Sequence, residues 1–434
     1  MLQEHIVANQ NYFILAGKII FVCFIIWLVI YIITSVIRNH NNLSSPGNIT
    51  AIQRQQNTIL DARWLGNMQS KQGLASQFQS IPQDQQLLIN ANIFSTRLVG
   101  YLGPFDSGVF EEDTATRLAL STGARCLILE IDYDNHTYDP KLIYRDGWGM
   151  KRSLNAGSIQ KVAKSIAARA FSPQNDGVPA SVASDPLILV VYFVRAPNQG
   201  KEALEYMRYL GAVAEQLQPL KDYLIAQTPQ GDFRRQALES QLFFTDYRVF
   251  QRKIILLTNA DTTGFRKLAS LGLAGELGQK QDLDFMTHVR LYGRESPSQF
   301  GITGTPISSV KPAAVITSPG YWTSTPTDRA ASAVESTKES WTLVMNPVST
   351  ATNQPDQKTV DSLFKTYGVH SIPTTLFADA TATDVFTAKD MTFNKSVWAA
   401  KSQLLRYVPP RPIPIQHPYP QANSGGGKVV APKI

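Results

Sequence analysis

Nineteen consecutive residues, Ile19–Ile37 (IIFVCFIIWLVIYIITSVI), carry no charge. A helix of that length rises about 28 Å, close to the thickness of a bilayer's hydrocarbon core. Lys18 and Arg38 bracket the run, and Tyr12, Trp27 and Tyr31 supply aromatic side chains. A signal peptide would be shorter and end in small residues, whereas RNHNNLSS follows here. The segment predicts a retained, single N-terminal anchor, with the rest of the chain folding on one side of a membrane. Before the run stand Glu4 and Lys18; after it come Arg38, Arg54, Arg63 and Lys71 against Asp61 alone. That bias predicts a lumenal N-terminus and a cytosolic body. Sequons at Asn48, Asn135 and Asn394 do not reverse it, since chance accounts for them in a chain of 434 residues.

A formal charge of +7 and a pI near 9.2 permit an anionic partner. No arginine-rich run with interleaved aromatics and no nucleic-acid module accompanies them, so no nucleic acid is expected as a partner. Cys23 lies in the apolar segment and Cys126 in an expected core strand, which leaves no basis for a disulfide. The six histidines (His5, His40, His136, His288, His370, His417) are scattered and neither cysteine has a CxxC partner. Zinc is therefore not expected, and no cofactor is implied. No Walker loop, GxGxxG or GxSxG is present.

The chain divides into a short segment 1–18, the membrane helix 19–37, a polar stalk 38–84, a folded body 85–407 and an arm 408–434. The stalk is rich in Gln, Asn and Ser, with helical character around Ile52–Leu65. In the body, short apolar runs alternate with amphipathic segments. Expected strands are Leu87–Phe94, Arg125–Tyr133, Lys141–Asp146, Pro186–Phe193, Lys253–Asn259, Trp341–Pro347 and Ile372–Ala378. Expected helices are Glu111–Thr122, Ser158–Phe171, Lys201–Ala226, Phe265–Leu271 and Thr359–Tyr367. Near-continuous apolar strands separated by helices indicate a parallel sheet covered on both faces. With an eighth strand inside Val310–Ser318, the fold class is α/β, a closed TIM-type (β/α) barrel, with a doubly wound sheet as the second choice. Thr303–Thr337, rich in Ser, Thr and Pro, is expected to be a loop excursion. The prolines of Val408–Ile434 forbid helix or sheet interior, so that arm is expected to be extended.

The order of NIFSTR (Asn92–Arg97), GARCLILEID (Gly123–Asp132), PKLIYRDG (Pro140–Gly147), SIQKVAKSIAARAF (Ser158–Phe171), DPLILVVYF (Asp185–Phe193) and FQRKIILLTN (Phe250–Asn259) resembles the catalytic barrel of the phosphatidylinositol-specific phospholipase C family. The resemblance runs over Leu87–Asn259, and less specifically through YGVHSIPTTLF and KSQLLRYVPP. It implies a phospholipase C-like barrel whose mouth holds two histidines, a general base and a general acid. In metal-dependent members Asn, Glu, Asp and a further Glu bind calcium, which polarises the phosphate.

Carried onto this sequence, that machinery is degenerate. Phe94 or Ser95 stands at the first histidine, Arg145 or Asp146 at the second, and Tyr192 at the last calcium carboxylate. Glu130 and Asp132 alone remain of the ligand set. One face of a strand carries both, which makes them weak metal candidates, and more naturally the partners of Arg125, Arg145 or Arg97. His136 is the nearest replacement base. Arg252 and Lys253, where the family has a lysine near the phosphate, are candidate anion contacts. Asp282 and Asp284 read as helix or turn carboxylates, and YWTSTPT (Tyr321–Thr327) as a contact surface.

A barrel without its acid and base, tethered by one helix and ending in a Pro-rich arm, suits a structural role. Phospholipase C-like barrels lacking their histidines also resemble proteins of large DNA viruses that carry an internal membrane beneath a capsid. The expectation is a membrane-anchored minor capsid protein, a pseudoenzyme located in the virion. Its partners would be the membrane through 19–37 and coat proteins through the arm and the loop excursion. The alternatives are a membrane-bound phosphodiesterase with a rearranged site and a lipid-binding tether.

Overall fold

Seven short extended segments of the chain pair in parallel, side by side, and an eighth closes the circle. The computed structural model describes residues 2–64, 71–134, 137–146, 149–173, 178–225, 241–265, 282–294, 311–324, 329–346, 355–377 and 392–410. The first barrel strand is split into β1 (Ala91–Ile93) and β2 (Ser95–Thr96), and a small hairpin, β3 (Tyr101–Gly103) and β4 (Val109–Phe110), follows it. Around the barrel come β5 (Cys126–Tyr133), β7 (Leu187–Phe193), β8 (Ile254–Thr258), β9 (Val289–Gly293), β10 (Ala314–Thr317) and β11 (Trp341–Val344). Each is parallel to its neighbour, from β2 through β11. The ring closes through Ser371–Thr374: Ser371 bridges Leu343 of β11 and Ile93 of β1, and Thr374 bridges Thr96 of β2, all in parallel.

The expected count of eight strands is met with one exchange. The segment Lys141–Asp146 is not a barrel strand. Its first residues belong to β6 (Pro140–Leu142), which returns antiparallel along β5. Its place is taken by β9, whose charged and aromatic outward residues, Arg290 and Tyr292, break the apolar run. Within the stretch read as a loop excursion, the described residues include β10 and a helix at Ala330–Glu339.

Alternation along the strands sorts side chains into two cores. Cys126, Ile128, Ile188, Val190, Ile255 and Leu257 point into the barrel. Leu127, Leu129, Leu189, Val191, Ile254 and Leu256 point outward, under the helices. Helices α4 (Glu112–Ser121), α5 (Ile159–Arg169) and α6 (Ala203–Gln216) cover that outer layer. In α5 the spacing Ile159, Val162, Ala163, Ile166 makes one buried stripe, and Ser158 caps its first turn by accepting from Lys161 N. Ile159, Val162 and Ile166 each stabilise the packing by about 1.5–3 kcal/mol. The short α3 (Leu74–Phe78) seals the N-terminal end of the barrel, where Leu74 and Phe78 join the inner core.

The N-terminal helices keep the expected apolar span but not the free stalk. Helix α1 spans Leu2–Leu43, and its apolar stretch, Ile14–Ile32, has no buried residue and is long enough to cross a membrane. Helix α2 (Pro46–Trp64) then docks on the barrel instead of holding it at a distance. Leu60 and Trp64 are buried, Gln53 Nε2 donates to Phe110 O at 3.0 Å, Arg117 pairs with Asp61 at 2.8 Å, and Trp64 Nε1 donates to Leu376 O at 3.3 Å.

Candidate functional site at the barrel mouth

Glu130 and Asp132 stand on the last turns of the pleat in β5, facing inward at the C-terminal end of the barrel. Arg97, just past β2, reaches Glu130 in a two-pronged contact, Nε to Oε1 at 2.7 Å and Nη2 to Oε2 at 3.1 Å. Its third nitrogen, Nη1, donates to Asn346 O at 3.0 Å. Both side chains are essentially sealed from solvent, at 1% and 2% exposure. Burial by itself would lower the Arg97 pKa, but the charge and hydrogen bonds of Glu130 outweigh it and the guanidinium is held above its ordinary value.

Asp132 is enclosed by two arginines. Arg145 Nε donates to Oδ2 at 2.6 Å and Arg195 Nε to Oδ1 at 2.6 Å, while Tyr133 N also donates to Oδ1 at 2.7 Å. Arg195 lies over the Tyr133 ring at 4.5 Å and donates to Tyr133 O at 2.7 Å. Arg145 Nη1 donates to Gly149 O at 3.1 Å. Asp146 is engaged elsewhere, accepting from Arg152 Nε at 2.7 Å and Met150 N at 2.9 Å.

Tyr192 faces Glu130 across the β5–β7 ladder. Its hydroxyl is buried with no hydrogen-bond partner among the described residues. Burial, and then the neighbouring Glu130, push its pKa up, so it stays a neutral phenol. Tyr144, pushed up to about 12 by burial first and Glu130 second, is neutral too.

Of the three arginines expected beside the carboxylates, Arg97 and Arg145 are there. Arg125 is not: it precedes β5, lies at the opposite end of the strand, and donates to Ala170 O at 2.7 Å and to Val182 O. The same logic removes Arg252 and Lys253 from any anion site at the mouth, because both precede β8 and sit at the N-terminal end. Phe94 points outward and packs on Phe393, ring centres 5.7 Å apart. Ser95 points inward and accepts from Ser371 Oγ at 2.9 Å. Asp282 caps a short helix by accepting from Phe285 N, and Asp284 accepts from Thr262 Oγ1 at 2.7 Å. Trp322, in the expected contact surface, is a core residue whose Nε1 donates to Thr317 Oγ1. His136 and the arm from residue 411 onward lie outside the described residues. Arg195 was not anticipated, although a basic residue two places past an apolar strand had to fall at this same end.

His288 and His370 belong to the floor of the barrel, not the mouth. His288 Nδ1 accepts from Leu256 N at 2.9 Å, which leaves the proton on Nε2 to reach Ile225 O at 3.1 Å. His370 repeats the pattern with Thr342 N and Ile89 O, both at 2.9 Å. Burial lowers the His288 pKa to about 4 and holds His370 well below its ordinary value. Lys401 Nζ, 2.7 Å from His370 Nε2, is itself held far below the usual lysine range by burial. An uncharged amine is what suits an Nε2–H at that distance. Among the described residues no cluster of three or more His, Cys, Asp or Glu side chains is placed to hold a metal.

No family model matches this sequence, and no curated protein matches it. Among solved structures the chain is similar to PLC21 of L. pealei, at 15% identity and a TM-score of 0.48, covering 78% of this chain and 39% of that one. It is also similar to the calcium-dependent phosphoinositol-specific phospholipase C of Pseudomonas sp., at 10% identity and a TM-score of 0.37, covering 69% and 94%. A third is the Ca2+-dependent phosphatidylinositol-specific phospholipase C of Streptomyces antibioticus, at 10% identity and a TM-score of 0.38, covering 67% and 95%. This chain thus spans about two-fifths of the length of the L. pealei protein. The TIM-type barrel architecture rests on the strand pairing and closure described above.

Proposed function

We propose that this chain is a non-catalytic, membrane-anchored structural protein, a minor capsid component of a large DNA virus that joins an internal membrane to the shell around it. The observation that carries the reading is the pairing at the mouth. The two carboxylates that the family resemblance assigns to calcium each have a guanidinium within 2.7 Å. A divalent cation would have to displace Arg97 from Glu130, and Asp132 would have to give up two arginines. Among the described residues, Glu130 and Asp132 are thus spent on guanidinium groups and are not free to act as base or metal ligand.

The two ends of the body support a bridging role. The chain enters through α2 beside Phe110, on the mouth side. It leaves past Tyr407, whose N donates to Asn90 Oδ1 while Asn90 Nδ2 donates to Tyr407 O, on the floor side. The anchor and the Pro-rich arm thus attach at opposite ends of a rigid barrel. The body lies on the cytosolic, capsid-facing side of the membrane, in keeping with the excess of Arg and Lys after the apolar run.

Cross-linking mass spectrometry on native, membrane-containing particles tests this. Cross-links from 303–337 and 408–434 to one abundant, repeating coat protein are the expected result. Hydrolysis of phosphatidylinositol by the full chain, lost in both Glu130→Gln and Asp132→Asn, would instead establish the phosphodiesterase alternative.

A further inference from the structure

We infer that Lys401 and His370 form a proton-operated latch at the floor of the barrel, which holds the segment 401–410 against the body while both groups are uncharged and releases it when the pair takes up a proton. The hydrogen bonds fix the protonation states. His370 Nδ1 accepts from Thr342 N at 2.9 Å, so the ring proton is on Nε2, which faces Ile89 O at 2.9 Å and Lys401 Nζ at 2.7 Å. An ammonium has no lone pair with which to meet an N–H. Lys401 is therefore an amine, accepting from Nε2 and donating to Thr337 O at 3.2 Å. The lone pairs of Nδ1 and Nζ are both spent, and one more proton on either turns a hydrogen bond into two opposed donors.

The surroundings do not offset such a charge. The helix Ala330–Glu339 brings Lys338, paired with Glu335 at 2.7 Å, and the segment itself brings Arg406, whose Nε donates to Lys401 O at 2.7 Å. Trp341 and Thr342 of β11 and Asn90 of the turn Leu88–Asn90 do not titrate. Among the described residues no carboxylate acts on either nitrogen. Burial first, and then Lys338, hold Lys401 well below the usual lysine range, and burial first, and then Lys401, do the same to His370.

The chain beyond Lys401 is lightly held. Up to Ala400 it is a strand, Trp398–Ala400, paired antiparallel with β1. Further on, Leu405 is buried, but Leu404 and Val408 are exposed. Tyr407 rests on Phe244, ring centres 4.6 Å apart, and exchanges two hydrogen bonds with Asn90. A charge at the root of so few contacts dislodges this segment before the barrel. Released, residues 402–410 extend up to about 30 Å, so the latch sets how far the chain that follows can reach.

Opening returns Lys401 to water and to its ordinary value of 10.5, so each opening takes up one proton and the open fraction rises about tenfold for each pH unit of acidification. Hydrogen–deuterium exchange of the full chain in detergent micelles reads this between pH 7.0 and 8.5, after correction for the intrinsic pH dependence of exchange. In peptides covering 401–407 the protection is expected to fall about tenfold per pH unit as the pH is lowered, and to lie below that of β7 throughout. In Lys401→Met, which keeps the side chain's length without a basic group, protection should change by less than about twofold over the range, because His370 does not titrate there. A parent segment whose protection is independent of pH overturns the latch. So does a segment that shares the protection of β7 at every pH, since it then opens only with the whole barrel, and so does an unchanged slope in Lys401→Met. If that variant does not fold, the slope of the parent and its comparison with β7 decide the matter by themselves.

Discussion

The carboxylates at the mouth of this barrel and the histidines at its floor are buried in opposite ways. At the mouth the groups keep their charges and satisfy them against one another, Arg97 on Glu130 and Arg145 and Arg195 on Asp132. At the floor, His288 and His370 lose the charge and satisfy themselves against backbone N–H and C=O groups. Both solutions avoid an isolated buried ion, whose desolvation would be prohibitive. They fail differently, though. A charged pair is vulnerable to losing one partner, and a neutral ring is vulnerable to acid.

The largest effect expected is at the mouth. Glu130→Gln strands the Arg97 guanidinium in a sealed site and should cost about 3–5 kcal/mol in denaturant unfolding of the full chain. The double variant Arg97→Met, Glu130→Leu should recover most of that loss. A Glu130→Gln protein as stable as the parent would show that the pair does not hold the mouth together.

At the floor the dependence is on pH. The folded-state pKa of His288, about 4, lies below the ordinary 6.5, so the neutral ring stabilises the fold fully above about pH 6.5. That contribution, about 3 kcal/mol, is lost as pH falls through 4. Asp185, raised to about 6 by burial, drifts the other way over the same range, so the comparison must be made against a variant. His288→Asn should be less stable than the parent at pH 7 and approach it near pH 4. A gap that does not change with pH would contradict the neutral-ring account.

The smallest effects sharpen the contrast. Asp61→Asn removes the partly exposed pair with Arg117, in which the carboxylate still reaches solvent, and should cost under about 1 kcal/mol. Millimolar calcium should leave the melting temperature of the parent unchanged, since Arg97 already occupies Glu130. A calcium-dependent rise would show that the ion competes successfully with the guanidinium.

The α/β class and the eight-strand count were legible because five of the barrel strands, β5, β7, β8, β10 and β11, are mostly apolar. Strand β9 was not, since Arg290 and Tyr292 turn outward and interrupt the run, while Lys141–Asp146 resembled a barrel strand until its antiparallel pairing with β5 was visible. The docking of α2 was hidden by composition: a helix that buries only Leu60 and Trp64 presents too little apolar face to signal it. In the site, the inward pair Glu130 and Asp132 followed from period two alone, and the partners Arg97 and Arg145 from charge. What sequence reading misplaced was which end of a strand a basic residue marks. Arg125, Arg252 and Lys253 precede their strands and fall at the floor, whereas Arg195 follows its strand and falls at the mouth.

The closing of the ring sets an order of events during synthesis. Thr96 can pair on one side with β5 soon after it is made, but its other neighbour, Thr374, lies 278 residues further along. At about 5–20 residues per second, translation keeps that edge waiting for roughly 15–55 s. An unpaired parallel edge of that lifetime is a template for the wrong strand. The nascent chain, not the finished protein, is where this fold is most exposed to error.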